Sequence, residues 1–368
     1  MVPEQLAFNQ VHEFSNIFFD SATKTYYHEG SEERVLRFDC DGWINGTITL
    51  KPLKDASRSV GATHRSLEEA TEVPEPTFYW ELFHPCYSHG FEDFVALFNT
   101  RLDVLKTTSR DIRIFFKNDF CWGHALTHTT DALVDKQKGW KFRTEAYNEF
   151  VEFLSSKEPI FADDDRPDRQ HFYKFNRFFV TPCPFARLLH NCGQVINARP
   201  MYTNYISYER IASWYNVFRE TIFAYYNLPV TGPQDATERI LINRKYNRNI
   251  HEDSITALKE NIPTLKVIHL EHMSLKEQIQ AIAKAKLVIT VHGAAMFNMI
   301  FAPVGTLLFE ILPGPSHMRS VFKHYCEKLT RRHAFYYEGD QYRCTLTTHN
   351  YILSVDKVLE SLKGVGAI

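Results

Sequence analysis

The clearest pattern in this chain is an alternation of apolar runs and amphipathic segments in its last third. Arg239–Asn243 (RILIN) has strand character, Glu252–Asn261 reads as a helix, Lys266–Leu270 (KVIHL) is a second strand, and Ser274–Lys286 a second helix. That helix opens on a capping box, Ser274 with Glu277 three residues on, ahead of Leu275, Ile279 and Ile282 at helical spacing. Leu287–Val291 is a β-branched run of the kind buried on both faces of a parallel sheet. Ala294–Phe301 is too short and crowded to be other than a compact helix, and a fourth strand closes on Glu310 before Pro313 and Gly314. Such alternation with short connections demands right-handed crossovers and a parallel sheet, whose C-terminal strand ends open onto one crevice.

Polar residues fall at those ends: Arg244 after the first strand, Glu271 and His272 after the second, His292 and Gly293 after the third, Glu310 closing the fourth. The junction HGAA suits an anion. Gly293 has no Cβ to hold a phosphate away, and the amides of Ala294 to Phe297 point at it with the positive end of the helix behind them. His292 adds a donor from the side, and Arg244 can make a bidentate guanidinium–phosphate contact. The rival reading is a plain βαβ turn of small residues with a satisfied histidine. Glu310 can accept from ribose or sugar hydroxyls, or cap the next turn; Asn298 reads as a tie behind the anion site, and mid-helix Gln278 as an exposed polar position. No G-x-G-x-x-G follows a strand and no G-x-x-x-x-G-K-[ST] occurs, so dinucleotide redox chemistry and P-loop phosphoryl transfer lose their support. A sugar nucleotide is the simplest remaining ligand.

The first half is less regular. Thr23–Leu53 alternates, with turn signals at Glu29-Gly30, Asp41-Gly42 and Asn45-Gly46, and reads as hairpins; Lys54–Pro76 reads as a polar surface loop. His89–Lys106 carries apolar residues at helical spacing, Ile112–Phe116 is the strand that follows, and Thr203–Asn227 is a long aromatic helix. Leu228–Pro233 has the composition of a linker. The expected domains are therefore residues 1–233, hairpins then α/β, and 234–368, with a closing helix near Tyr351–Lys363 that can return to either half.

Composition narrows the class. A chain of 368 residues, 44% apolar, can bury two cores, and a net charge of −2 offers no basic footprint for a nucleic acid. Seven cysteines, an odd number without a C-x-x-C pair, read as mostly free core thiols, not a zinc site or disulfide frame. MVPEQLAFNQ is no signal sequence, and no run approaches the roughly 18 apolar residues of a membrane span. As given, the chain reads as cytoplasmic and without a membrane span; the sequon Asn45-Gly-Thr47 leaves open a lumenal protein whose anchor has been removed.

The run ILINRKYNRNI (Ile240–Ile250), the helix containing Gln278, and AKLVITVHGAAMFNMIFAPVGTLLFEILP together resemble the C-terminal core of glycosyltransferase family 61. The resemblance rests on Arg244, Arg248, Gln278, His292, Gly293, Ala294, Asn298, Gly305 and Glu310, and more briefly on His89-Gly-Phe-Glu-Asp93 upstream. That family contains plant xylosyl- and arabinosyltransferases and animal protein O-linked N-acetylglucosaminyltransferases, which work in the endoplasmic reticulum or Golgi. It implies an α/β chain of GT-B type, two Rossmann-like domains facing a cleft, and inverting transfer from a UDP-sugar to a hydroxyl of a glycan or glycoprotein, with no metal. On this reading Asp93 is the base, with His89 one turn before it on the same helix face. Arg244, Arg248, His292, Gly293, Ala294, Ala295, Asn298 and Glu310 hold the nucleotide sugar. The competing readings are an acidic first helix turn at Asp93 and a solvated basic loop at Lys245 and Arg248. Two functional rivals remain open. One is a metal-dependent GT-A-like enzyme using Asp39 and Asp41, or Asp163–Asp165, to coordinate Mg²⁺ or Mn²⁺; the other is a non-catalytic sugar-nucleotide or glycan-binding module.

Overall fold

The computed structural model describes residues 4–5, 11–39, 45–53, 55, 70–80, 87–117, 148–162, 171–180, 195–196, 199–200, 208–245, 249–312, 319–337 and 351–368. The chain divides into two units, residues 1–188 and 189–368.

The first unit is built on one mixed sheet of ten strands: β1 (Glu4–Gln5), β2 (His12–Asp20), β3 (Thr25–His28), β4 (Arg34–Asp39), β5 (Asn45–Pro52), β6 (Thr71–Val73), β7 (Thr77–Trp80), β8 (Arg113–Phe116), β9 (Ile160–Phe161) and β10 (Phe172–Val180). Its order is β1-β4-β5-β3-β2-β10-β7-β8-β9, with β6 also on β10. The hairpin region is real but paired differently from the turn signals. β2 and β3 form one antiparallel pair and β4 and β5 another, while β3 lies parallel to β5, so Glu29-Gly30 joins strands that are not partners. Asn45 and Gly46, expected in a turn, are strand residues opposite Asp39 and Phe38. The segment expected to be a loop contributes β6. From β10 through β7 and β8 to β9 the pairing is parallel, and α1 (Tyr87–Leu105) makes the crossover from β7 to β8. Phe19, Phe115, Phe175 and Phe178 fill the core on one face of this sheet.

The second unit begins with a small antiparallel pair, β11 (Val195–Ile196) and β12 (Arg199–Pro200), and the helix α2 (Tyr208–Tyr225). Then come β13 (Glu238–Ile242), α3 (Glu252–Asn261), β14 (Leu265–Ile268), α4 (Leu275–Ile282), β15 (Ala285–Val291), a 3₁₀ helix (Ala294–Phe301), β16 (Leu307–Leu312), α5 (Arg319–Lys328), β17 (Arg332–Tyr337) and α6 (Val355–Gly364). All five strands pair in parallel in the order β14-β13-β15-β16-β17. Period-two alternation sorts their side chains. Leu241, Ile289, Phe309 and Ile311 face a core shared with Ile255 and Leu258 of α3 and Val358, Leu359 and Leu362 of α6. The alternate residues, Thr290 and Glu310 among them, therefore face the other side. Gly305, at φ 81°, takes the left-handed conformation needed to turn the chain into β16.

The division of the chain and the burial of Gln278 differ from those expected, and the closing helix takes one of its two expected places. The division falls after Leu188 and not near Pro233, because α2 packs on the second unit: the Tyr215 ring lies 5.8 Å from that of Tyr325, and Arg219 Nε donates to the Phe301 carbonyl at 3.4 Å. The closing helix α6 stays within its own unit. Gln278 is 0% exposed, where an exposed position was expected, and its Nε2 donates to the carbonyls of Met273 (3.1 Å) and Leu270 (3.4 Å). This amide holds the 3₁₀ turn Leu270–His272 that ends the β14 crossing.

Replacing Gln278 by Leu keeps the volume but removes this donor from both carbonyls, leaving Leu270 only its bond from the Met273 amide. Urea denaturation should show a loss of about 1–3 kcal/mol with an unchanged m-value.

Candidate functional site

The chain leaves β13 toward β14 on one side and leaves β15 toward β16 on the other, so the sheet order reverses between β13 and β15. Ligands of doubly wound sheets bind in the crevice such a reversal opens beyond the strand C-termini. The Thr290 hydroxyl closes the two strands together there, donating to the Ile242 carbonyl at 3.1 Å. Arg244 follows β13, half-buried. The residue before it sets the loop: buried Asn243 accepts from the amides of Arg244 (3.0 Å) and Ile250 (2.8 Å) and donates to the Ile250 carbonyl (3.2 Å). One side chain thus folds the segment carrying Arg244 back onto the sheet.

After β15 the chain passes through His292 and a nearly extended Gly293 (φ 158°, ψ −174°) into the 3₁₀ helix. Its first backbone bond runs from Met296 N–H to the Gly293 carbonyl at 3.1 Å. The amides of Ala294 and Ala295 stand ahead of that bond, at the positive end of the helix. Asn298, 1% exposed, donates to the Ala295 carbonyl at 3.1 Å and so ties down this first turn from behind. The opposite end is held by cations. Arg219 donates to Phe301, Arg331 donates to the carbonyls of Ala302 and Leu329, and the Tyr325 hydroxyl donates to Phe297 at 2.7 Å. Burial lowers both arginines, Arg331 to about 10 with Arg219 nearby adding to the effect, yet both stay cationic at neutral pH. Two buried guanidinium charges therefore face the negative end of the helix whose positive end lies at the β13–β15 reversal.

Glu310 departs from expectation. It does not close its strand: β16 continues to Leu312, and Glu310 is 0% exposed in mid-strand. Its Oε1 lies 2.5 Å from His292 Nδ1 and its Oε2 2.7 Å from His333 Nε2. Both oxygens are engaged by imidazoles, so the expected bond to a ribose or sugar hydroxyl has other partners in its place. Burial opposes the charge, but the hydrogen bonds and proximity of the two histidines outweigh it and hold Glu310 below the usual carboxylate range. A carboxylate only accepts, so Nδ1 of His292 carries a proton and Nε2 is that ring's other polar atom. The His292 ring is wedged edge-on against Phe322 of α5 at 5.3 Å. Cys326, the only cysteine among the described residues, lies buried on the same helix, its thiol pushed up by burial and by the Glu310 charge.

His333, Asn243 and Gln278 were not anticipated as parts of the site. For His333 the signal was parity: in β17 it pairs with Leu308, and Glu310 pairs with Phe335, so all share a face with Thr290. Of the remaining candidates, Ala295 is half-buried at the helix start, and Ala294 is described by its backbone alone. His89 and Asp93 sit one turn apart on α1, again by backbone alone, and Arg248 lies outside the described residues. Of the metal-binding rivals, Asp39 ends β4, while Asp41 and Asp163–Asp165 lie outside the described residues. Among the described residues, no helix is long and apolar enough to cross a membrane.

Because the folded Glu310 titrates below its unfolded counterpart, its stabilisation is complete above the ordinary carboxylate range and is lost as pH falls through the folded value. Glu310→Gln should therefore cost about 2–4 kcal/mol at neutral pH. Urea melts at a series of pH values should show the gap between wild type and variant closing as the solution is acidified.

Residues 87–309 match the family Glycosyltransferase 61. The match opens on the first residue of α1, taking in His89 and Asp93, and ends at Phe309, one residue before Glu310. No curated protein matches the chain. Among solved structures, E. coli heptosyltransferase WaaC with ADP-2-deoxy-2-fluoro heptose is similar over 78% of this chain and 99% of that chain, at 10% identity and a TM-score of 0.33, a likeness too slight to carry an argument. With more than half of its length matched by one family, this α/β chain belongs to glycosyltransferase family 61 and is a glycosyltransferase.

Proposed function

We propose that the enzyme is an inverting, metal-independent transferase of GT-B type that moves a sugar from a UDP-sugar to a hydroxyl of a glycan or glycoprotein. The observation that carries this reading is the convergence at the β13–β15 reversal. Arg244 follows one strand end, and His292 and Gly293 follow the neighbouring one into a helix whose far end is held by two arginines. The diphosphate lies against the amides of Ala294 and Ala295, with Arg244 and Arg248 supplying guanidinium charge. His292 donates from Nε2 when protonated, and Glu310 behind the ring offsets that charge.

The acceptor oxygen forms a bond to the anomeric carbon from the face opposite the diphosphate, and the bond from that carbon to the β-phosphate oxygen breaks. The electron pair leaves with UDP, and the acceptor proton passes to Asp93. Attack from the opposite face inverts the anomeric centre. A carboxylate in that position is worth roughly 10²–10⁴ in rate. Amides, guanidinium and imidazole supply the positive charge that the departing diphosphate needs, which supports a reaction without a metal ion. Family membership supports xylose, N-acetylglucosamine or another pentose as the transferred sugar.

With acceptor present, wild-type protein should consume a UDP-sugar at a rate unchanged by EDTA. Asp93→Asn should abolish turnover and leave UDP affinity within a few-fold. Arg244→Ala should weaken UDP binding by about 1.5–3 kcal/mol in calorimetry. Loss of activity in EDTA would favour the metal-dependent rival, and nucleotide binding without turnover by wild type would favour a binding module.

A further inference from the structure

With both Glu310 oxygens engaged, the hydroxyl acceptor expected at that residue must be sought elsewhere, and one acidic side chain just past the end of β14 has an oxygen without a partner. Glu271 lies in the 3₁₀ turn Leu270–His272, just past β14, the strand hydrogen-bonded to β13. Its Oε1 accepts from the Lys245 amide at 3.2 Å, which joins it to the segment carrying Arg244. Its Oε2 is buried and has no hydrogen-bond partner, and Nδ1 of His269, two residues earlier, is in the same state.

The turn holding these two atoms is braced from three sides. Gln278 donates to the carbonyls of Met273 and Leu270, the Met273 amide donates to Leu270 at 3.1 Å, and the Asn243 amide donates to Ile268 at 3.0 Å. The backbone carrying the carboxylate is thus held in place, and its Oε1 is tied to the Lys245 amide. Buried polar atoms are nearly always paired, and one left unpaired is destabilising. A carboxylate accepts and never donates, so its missing partner is a donor. An anionic phosphate is excluded by charge; a neutral hydroxyl fits.

We propose that this turn is the ribose clamp of the enzyme, with Glu271 Oε2 accepting a hydrogen bond from the ribose hydroxyls of the nucleotide and His269 Nδ1 as the second contact. The inference rests on the nucleotide-site reading above. Doubly wound nucleotide sites hold ribose hydroxyls on an acid at a strand's C-terminal end, with the pyrophosphate at a helix head beyond the same edge of the sheet. Here the helix head follows β15 and the acid follows β14, with β13 and Arg244 between them.

The test compares UDP with 2′-deoxy-UDP by calorimetry on wild type, Glu271→Gln and Glu271→Ala. Wild type should bind UDP about tenfold to a hundredfold more tightly than the deoxy analogue. Both variants should lose that preference through weaker UDP binding, with 2′-deoxy-UDP affinity kept within about twofold. A merely structural role for Glu271 would weaken both nucleotides alike and overturns the assignment, as does a preference that survives in the variants or is absent from wild type while UDP binds. Failure of wild type to bind UDP at all refutes the nucleotide-site reading, and the clamp with it.

Discussion

The feature on which the rest of the second unit depends is a full negative charge in the middle of a strand. Glu310 has no exposed surface and lies between neighbours that are Phe309 and Ile311, both facing an apolar core. Such a charge is tolerable only if it is bonded, and His292 reaches it from just past β15 and His333 from β17, on either side. The bonds couple three adjacent strands on one face and fix which nitrogen of His292 carries a proton. They also address a conflict of sign. For the proposed diphosphate at the helix head, a bare carboxylate behind it would be repulsive, whereas one bonded by two imidazoles presents much less of its charge.

The 3₁₀ helix is oriented by the same economy of charge. Arg219 reaches its end from α2 and Arg331 from the turn before β17, elements far apart in sequence. Tyr325 adds a bond to Phe297 in mid-helix, and Asn298 ties the first turn. Eight residues of 3₁₀ helix have poor intrinsic stability. These contacts keep the segment helical and direct its leading amides. The 3₁₀ helix and the helix α2 that holds its far end therefore form one mechanical element, which is why the division of the chain falls before α2.

How much of this could be read from residues alone followed from which interactions are local. The capping box at Ser274 and Glu277, the span of α3 and the parallel run of β15 were legible because they depend on neighbouring residues, and HGAA announced its turn for the same reason. Glu310 was visible as an acid in an apolar run, but its place in mid-strand depends on β17, whose half-exposed alternation gives a weak signal. Gln278 looked like a surface residue because its partners are carbonyls in the preceding turn, and carbonyls carry no residue signature. Asn45-Gly46 is a good turn pair that tertiary pairing turned into strand.

The central claim is that the amides at the head of the Ala294–Phe301 helix bind the diphosphate of the donor. Amide hydrogen exchange with and without UDP tests it most directly. The account predicts that nucleotide slows exchange in the peptide spanning residues 290–301, and in the segment after β13 that carries Arg244. UDP that binds without protecting residues 290–301, or protects only the first unit, would contradict it.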